Sequence, residues 1–306
     1  LGGWAPFLND YLPETYRADA EGLSIEKVIH VEADWRHKRG LGPVGETRWL
    51  ANLYRDNPET LGAIVGYVPL HYANAEQVIE AHIKASPKFV GIRQMLSYEF
   101  DKGVMHFADK AELSSDPQWR KGLALLEKYN LSFEAWGFHH QLGELNRIIK
   151  SYPGVEFMLD HMGTPIGLAG PFASWGQSVE MRAATLRNWQ LGLSMIAQNP
   201  NVHVKLSGFL MPVVGWGYEH RSTDPSVDEL LEKAGPLFEF VIETFGVDRC
   251  LFASNFPMDK VSLSLSRLYE FYFKLSEPLG LEQQRKLFFD NARRFYKIDA
   301  HSSVSP

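Results

Sequence analysis

A closed parallel α/β barrel, the (β/α)8 TIM barrel, is the fold class that this 306-residue sequence predicts. Three observations predict it. Seven short β-type runs alternate with longer runs of helical spacing, and alternating βα units make a parallel sheet covered by helices. Several of the β-type runs carry a polar residue at every second position, so one face of each strand meets polar surroundings. No Gly-rich phosphate turn follows any of them, which leaves an open nucleotide-binding sheet unsupported.

The expected strands are residues 28–35 (VIHVEADW), 63–70 (AIVGYVPL), 89–96 (FVGIRQML), 131–138 (LSFEAWGF), 155–161 (VEFMLDH), 202–208 (VHVKLSG) and 250–255 (CLFASN). Helical spacing runs over 46–56, 75–85, 116–129, 141–151, 179–198, 227–245, 263–275 and 281–296, with a short helix near 13–22. The segment 116–129 opens on Asp116-Pro117, a helix-start signal. Seven strands are one short of a closed barrel. Residues 1–11 (LGGWAPFLNDY) read as the connection that follows a strand, so the first strand is expected upstream of Leu1 and 28–35 becomes the second. With no composition break, repeat or low-complexity stretch, residues 1–306 read as a single domain.

Composition narrows the function classes. A hydrophobic fraction of 45% and a charged fraction of 22% are ordinary for a globular chain. The formal net charge of −6 offers no basic surface and argues against nucleic acid as a partner. No apolar run reaches the roughly 18 residues that would span a membrane. Cys250 is the sole cysteine, so there is neither a disulfide framework nor a thiolate metal cluster, and a cytoplasmic setting is the default. Self-association is left open.

The polar strand faces point to chemistry. In VHVKLSG, His203, Lys205 and Ser207 oppose Val202, Val204 and Leu206; in VIHVEADW, His30, Glu32 and Asp34 oppose Ile29, Val31 and Ala33. In FVGIRQML, Gly91 and Arg93 oppose Val90 and Ile92. The apolar faces suit the helix layer, which turns the polar faces into the barrel. There they must be paired or solvated, and sites open at the C-terminal ends of barrel strands. A structural network, such as Lys205 paired with Glu32, is the competing account. His161, ending a strand and followed two residues later by glycine, can serve as ligand, base or carbonyl polariser. His139 and His140 are a second imidazole source. HExxH, Cys clusters and G-x-S-x-G are missing.

The motifs VEADW, GIRQ, LDHMG, KLSG, ASNFP and DNARRFY, in this order and spacing, resemble the amidohydrolase-2 type of the amidohydrolase superfamily. The lactonase-like branch, with its sugar lactonases and its hydrolases of pyrone-dicarboxylate and muconolactone-type compounds, is the closer likeness. The resemblance covers the chain from Val28 onward and implies a (β/α)8 barrel. It also implies an H-x-H pair on the first strand, which this sequence does not contain. His161 falls on the family histidine that ends the sixth strand, and Lys205 on the polar position of the K-L-S motif. Asn255 falls where the eighth strand normally carries an aspartate acting as base or metal ligand. Arg93 falls where relatives place cations that hold substrate carboxylates.

An amide at 255 cannot take a proton from water and is a poor cation ligand. Three accounts stand: an engineered ligand trap, a subgroup with another base, or lost activity. Asp259, Glu32 and His161 are the other candidate bases. The expected function is hydrolysis of a lactone or related ester bond in a small carboxylated substrate. His161, Asn255, Lys205 and Asp259 are the catalytic candidates; Arg93, Glu32, His139 and His140 are the substrate-binding ones. Trp4, Trp35, Trp175 and Trp216 are expected to wall the pocket. Cofactor need is expected to be nil, or one divalent zinc or manganese ion. The rivals are a metal-dependent decarboxylase of an unsaturated or aromatic acid, and a barrel that binds a small acid without turning it over.

Overall fold

The computed structural model describes residues 9–298. Trp4 and the strand expected upstream of Leu1 lie outside the described residues. Seven parallel strands follow one another in chain order: β1 (Val28–Val31), β2 (Leu61–Gly66), β3 (Phe89–Arg93), β4 (Ser132–Ala135), β5 (Phe157–Leu159), β6 (Val202–Leu206) and β7 (Cys250–Phe252). Each pairs with the next, and β1 and β7 are the terminal strands of the described sheet.

The sheet is curled. Ala63 and Val65 of β2, Val90 of β3, Met158 of β5 and Leu251 of β7 share one apolar cluster. In a flat sheet strands five places apart would be separated by about 24 Å. Contact across that span means the wall closes round a common centre, as in a (β/α)8 barrel. Phe295 and Tyr296, at the end of the helix Asn291–Phe295, join the same cluster, while His203 meets Phe295 edge-on at 5.0 Å.

The outer layer holds the larger core. Val202, Val204 and Leu206 face outward from β6 and pack among helix residues such as Trp189, Phe238 and Leu193. The helices carry their own start signals. Asp116 caps the helix Pro117–Lys128 by accepting from the Gln118 N–H at 2.7 Å, and Ser178 caps Val179–Ala197 through the Met181 N–H. The helix expected over 75–85 is Ala75–Ala85. The one expected over 227–245 is two, Val227–Lys233 and Gly235–Phe245, because Pro236 in the first turn of the second has no N–H to continue the first. The last expected helix is likewise interrupted, by a π-turn at Lys286–Asp290.

Two corrections concern the strands. Most expected strands ran on past their true C-terminal ends, because the chain leaves extended geometry there. Asp34, His161, Gly208 and Asn255, after β1, β5, β6 and β7, have φ of 58°, 53°, 61° and 54°. The facing of β1 is also the reverse of that expected. His30 turns outward to Glu46 at 3.0 Å, while Ile29 and Val31 pack against the inner cluster. Glu32, whose N–H still donates to the Val65 carbonyl at 2.8 Å, nevertheless reaches Arg93 at the strand ends.

Candidate active site

Two neighbouring groups of polar side chains lie where the strands end. The first is an ion-paired layer. Arg93, last in β3, donates from Nε to Glu32 Oε1 at 2.9 Å, from Nη1 to Asp160 Oδ2 at 3.4 Å and from Nη2 to the Glu32 carbonyl. Lys205 on β6 lies 3.0 Å from Asp160 Oδ1 and donates to Glu134 Oε2 at 2.5 Å. Tyr296 donates its hydroxyl to the other Glu134 oxygen at 2.6 Å. Glu134 and Asp160 are fully buried. Burial alone would raise Asp160, but Lys205, His161 and Arg93 overcome it and hold the carboxyl down to about 2. Glu134 moves the other way, raised by burial and the Asp160 charge against the pull of Lys205. Lys205 therefore pairs with Glu134 and Asp160; the pairing with Glu32 considered from sequence belongs to Arg93.

The second group is an arc over the ends of β5, β6 and β7. His161 Nδ1 and Ser207 Oγ are 2.9 Å apart, both buried. Gly208 lies against the imidazole so closely that a Cβ there would fall 2.4 Å from His161 Cγ, and its φ of +61° favours glycine too. The Gly208 backbone also favours the charged form of Asp259. Asp259 Oδ1 accepts from Asn255 Nδ2 at 2.9 Å, and Oδ2 is buried without a hydrogen-bond partner. Trp136 meets His161 edge-on at 5.7 Å and is anchored by donating to Thr164 Oγ1 at 2.9 Å.

Burial drives the two titratable groups of this arc in opposite directions. It pushes the His161 imidazole down to about 3, with the Arg93 and Lys205 charges adding and Asp160 opposing. It pushes the Asp259 carboxyl up to about 7, against the two hydrogen bonds that favour its charge. His161 is thus a neutral imidazole, and Asp259 changes charge near neutrality.

Beside the layer, a shallow cleft opens at the ends of β1–β3, lined by Glu32, Asp34, Lys38, Tyr67, Gln94 and Asp109, with Met95 and Phe107 as its apolar side. Glu32 joins cleft to layer. Of the sequence candidates, Arg93, Glu32 and Lys205 meet in the layer, and His161, Asn255 and Asp259 in the arc; Asp160 beside His161 connects the two.

His139 and His140 pack elsewhere, around Trp175. His139 is buried, pushed down to about 3, and meets the indole edge-on, while His140 stacks on it at 5.7 Å. Trp216 bonds to the Phe209 carbonyl and stacks on Tyr218; Trp35 packs near Trp49. The aromatic side chains at the cleft and at His161 are instead Tyr67, Phe107 and Trp136. Glu134, Asp160 and Tyr296 were not singled out from sequence, and Ser207 only as part of a polar strand face. A glutamate amid the apolar residues of LSFEAWGF and a tyrosine ending NARRFY were the available signals.

Known proteins share this architecture. The chain is 27% identical over 262 residues to an L-fucono-1,5-lactonase of Burkholderia ambifaria, covering 84% of this chain and 77% of that one. An amidohydrolase of Burkholderia multivorans, solved with bound zinc, superposes with a TM-score of 0.76 at 23% identity over 97% of this chain and 92% of its own. A 2,6-dihydroxybenzoate decarboxylase from Rhizobium shares the fold at 15% identity, with a TM-score of 0.59 over 94% and 89% of the two chains.

The described side chains do not form a metal-binding set: no three His, Cys, Asp or Glu residues among them group around one point. The chemistry of the donors gives the reason. Glu32, Glu134 and Asp160 already face Arg93 or Lys205, and position 255 offers an amide already bonded to Asp259. Residues 1–298 match the amidohydrolase family model, and with that match over nearly the whole length the chain belongs to the amidohydrolase family of hydrolases.

Proposed function

We propose that this chain hydrolyses a lactone, adding water across the ring ester and releasing a hydroxy acid. The observation that carries the reading is the opposed pair in the arc, neutral His161 and near-neutral Asp259. Two groups whose surroundings push them apart can divide acid and base roles. A neutral imidazole donates a hydrogen bond to the carbonyl oxygen as charge develops there. Asp259 takes a proton from the attacking water, the ring C–O bond breaks, and the departing alkoxide recovers that proton. Asn255 keeps Asp259 oriented at the strand end. Lys205 and Arg93 act from behind, fixing Asp160 beside His161.

The lactonase likeness supports the same bond type. For the substrate, charge supports a neutral ring. The cleft carries Glu32, Asp34 and Asp109 against Lys38, and Lys38 is itself paired with Asp34. Carboxylates accept hydrogen bonds from hydroxyl groups, while Met95 and Phe107 offer an apolar face. Arg93, expected from sequence to anchor a substrate carboxylate, already serves two internal ones. In this reading the carboxylate belongs to the product.

A panel of neutral hydroxylated lactones and carboxylated lactones, followed by acid release, tests the proposal. Turnover of neutral rings, lost in Asp259→Asn and His161→Gln, supports it. Release of CO₂ from dihydroxybenzoates with no lactone opened would replace it with decarboxylation.

A further inference from the structure

We infer that Ser207 is a positioning residue: its hydroxyl donates to His161 Nδ1 and so locks the imidazole as the Nε2–H tautomer, a hydrogen-bond donor toward the site. The catalytic consequence rests on the lactone-hydrolysis reading above; the tautomer does not.

The geometry supplies the direction of that bond. Ser207 is fully buried, and the 2.9 Å contact with His161 Nδ1 is the one hydrogen bond its hydroxyl makes among the described residues. Were Nδ1 the donor, the serine proton would be left buried with no acceptor, an arrangement folded proteins avoid. With the serine donating, its proton is satisfied, Nδ1 is the acceptor, and the imidazole proton must sit on Nε2. Ring rotation cannot undo this. Gly208 presses on one side of the imidazole, within 2.4–2.7 Å of Cγ, Nδ1 and Cβ for a notional Cβ, and Trp136 meets the ring edge-on. His161 itself sits at φ 53°, a backbone conformation uncommon for a residue with a side chain, which the surrounding contacts hold in place.

The arc therefore divides labour before any substrate arrives. His161 is denied the role of proton acceptor at Nδ1 by Ser207, and Nε2 has no protein partner among the described residues. Proton acceptance is left to Asp259, which shares no hydrogen bond with either residue and is linked to them only through the Gly208 backbone.

Long-range ¹H–¹⁵N correlation spectra of the imidazole rings, with the His161 signals assigned by their disappearance in His161→Gln, test the inference in the full chain. The parent should show one Nε2–H tautomer at His161. Ser207→Ala should show a tautomer mixture there, and Ser207→Cys, which keeps a weak donor, should restore most of the parental pattern. In steady-state assays on a turned-over lactone, Ser207→Ala should lower kcat about 10- to 100-fold with KM changed less than about twofold. An Nδ1–H tautomer in the parent, or an unchanged Nε2–H tautomer in a folded Ser207→Ala, overturns the inference. If the spectra behave as stated while no lactone is opened, the proposed reaction fails and the tautomer lock stands.

Discussion

The ion-paired layer and the His161–Asp259 arc lie side by side and are built on opposite principles. In the layer, Glu32, Glu134 and Asp160 face Arg93 and Lys205, with Tyr296 supplying one more donor. Most acceptors there have a donor. In the arc, Nε2 of His161 and Oδ2 of Asp259 have no partner among the described residues, although both residues are buried. A layer whose charges answer one another resists change. An arc with an acceptor and a donor left over has capacity for an incoming molecule. On the proposed reading, reactivity lies one step away from the densest cluster of charge.

The sharpest way to break this contrast is to mutate the arc. Asp259→Asn should lower kcat by about 10²–10⁴-fold, the usual range for a positioned general base, while the fold survives because the amide still accepts from Asn255. A variant that keeps full activity would remove Asp259 from the reaction. Lys205→Met attacks the layer instead, leaving Glu134 and Asp160 buried without their shared cation. Chemical denaturation should then show a loss of about 3–5 kcal/mol, the range for breaking a buried ion pair from one side. A loss below about 1 kcal/mol would mean that water reaches the layer.

The pH dependence separates the regions by sign. Asp259 is raised to about 7 in the folded chain, so its contribution to stability is full below the ordinary aspartate range and is lost as pH rises through about 7. His161 is lowered to about 3, so between there and its ordinary value the unfolded chain binds the extra proton and stability rises with pH. The two slopes oppose one another between about pH 4 and 6.5. Asp259→Asn deletes one of them. Relative to the parent, that variant should therefore gain stability as pH is raised from 4.5 to 8, by about 2–4 kcal/mol in paired denaturation curves. A constant difference across that range would show that Asp259 is not displaced.

Asn255→Asp gives the smallest expected change in stability and the most informative one in rate. It sets a second carboxylate where an amide now donates to Asp259 at 2.9 Å, so the pair must hold a shared proton. The acid limb of the pH–rate profile should move upward by about one unit or more, with no gain in rate at neutral pH. A large gain there would mean instead that position 255 awaits a carboxylate.

Much of the fold was legible because helical and β-type spacing alternate so regularly; the helix at Ala75–Ala85 matches its expected bounds. Strand facing was less so. Reading His30 and Glu32 as one face assumed strict alternation, yet His30 turns to Glu46 and Glu32 to Arg93. At the site, His161, Lys205, Arg93, Asn255 and Asp259 were visible as polar residues at or just past the ends of apolar runs. Their partners were not. Glu134 bonds to a residue 162 positions away and Arg93 to one 61 away, and no local pattern records such pairings. His139 and His140 show the converse. Adjacent imidazoles stand out in a sequence, yet their contacts are with Trp175, and burial keeps His139 neutral.

The bond between Tyr296 and Glu134 has a consequence in time as well as space. A ribosome adds roughly 5–20 residues per second, so Glu134 emerges on the order of ten seconds before the tyrosine that completes its surroundings. Lys205 follows within that interval, and Tyr296 then adds the second donor to Glu134 as it joins the inner apolar cluster with Phe295. Tyr296 thus completes the surroundings of Glu134 only after all seven described strands have been made.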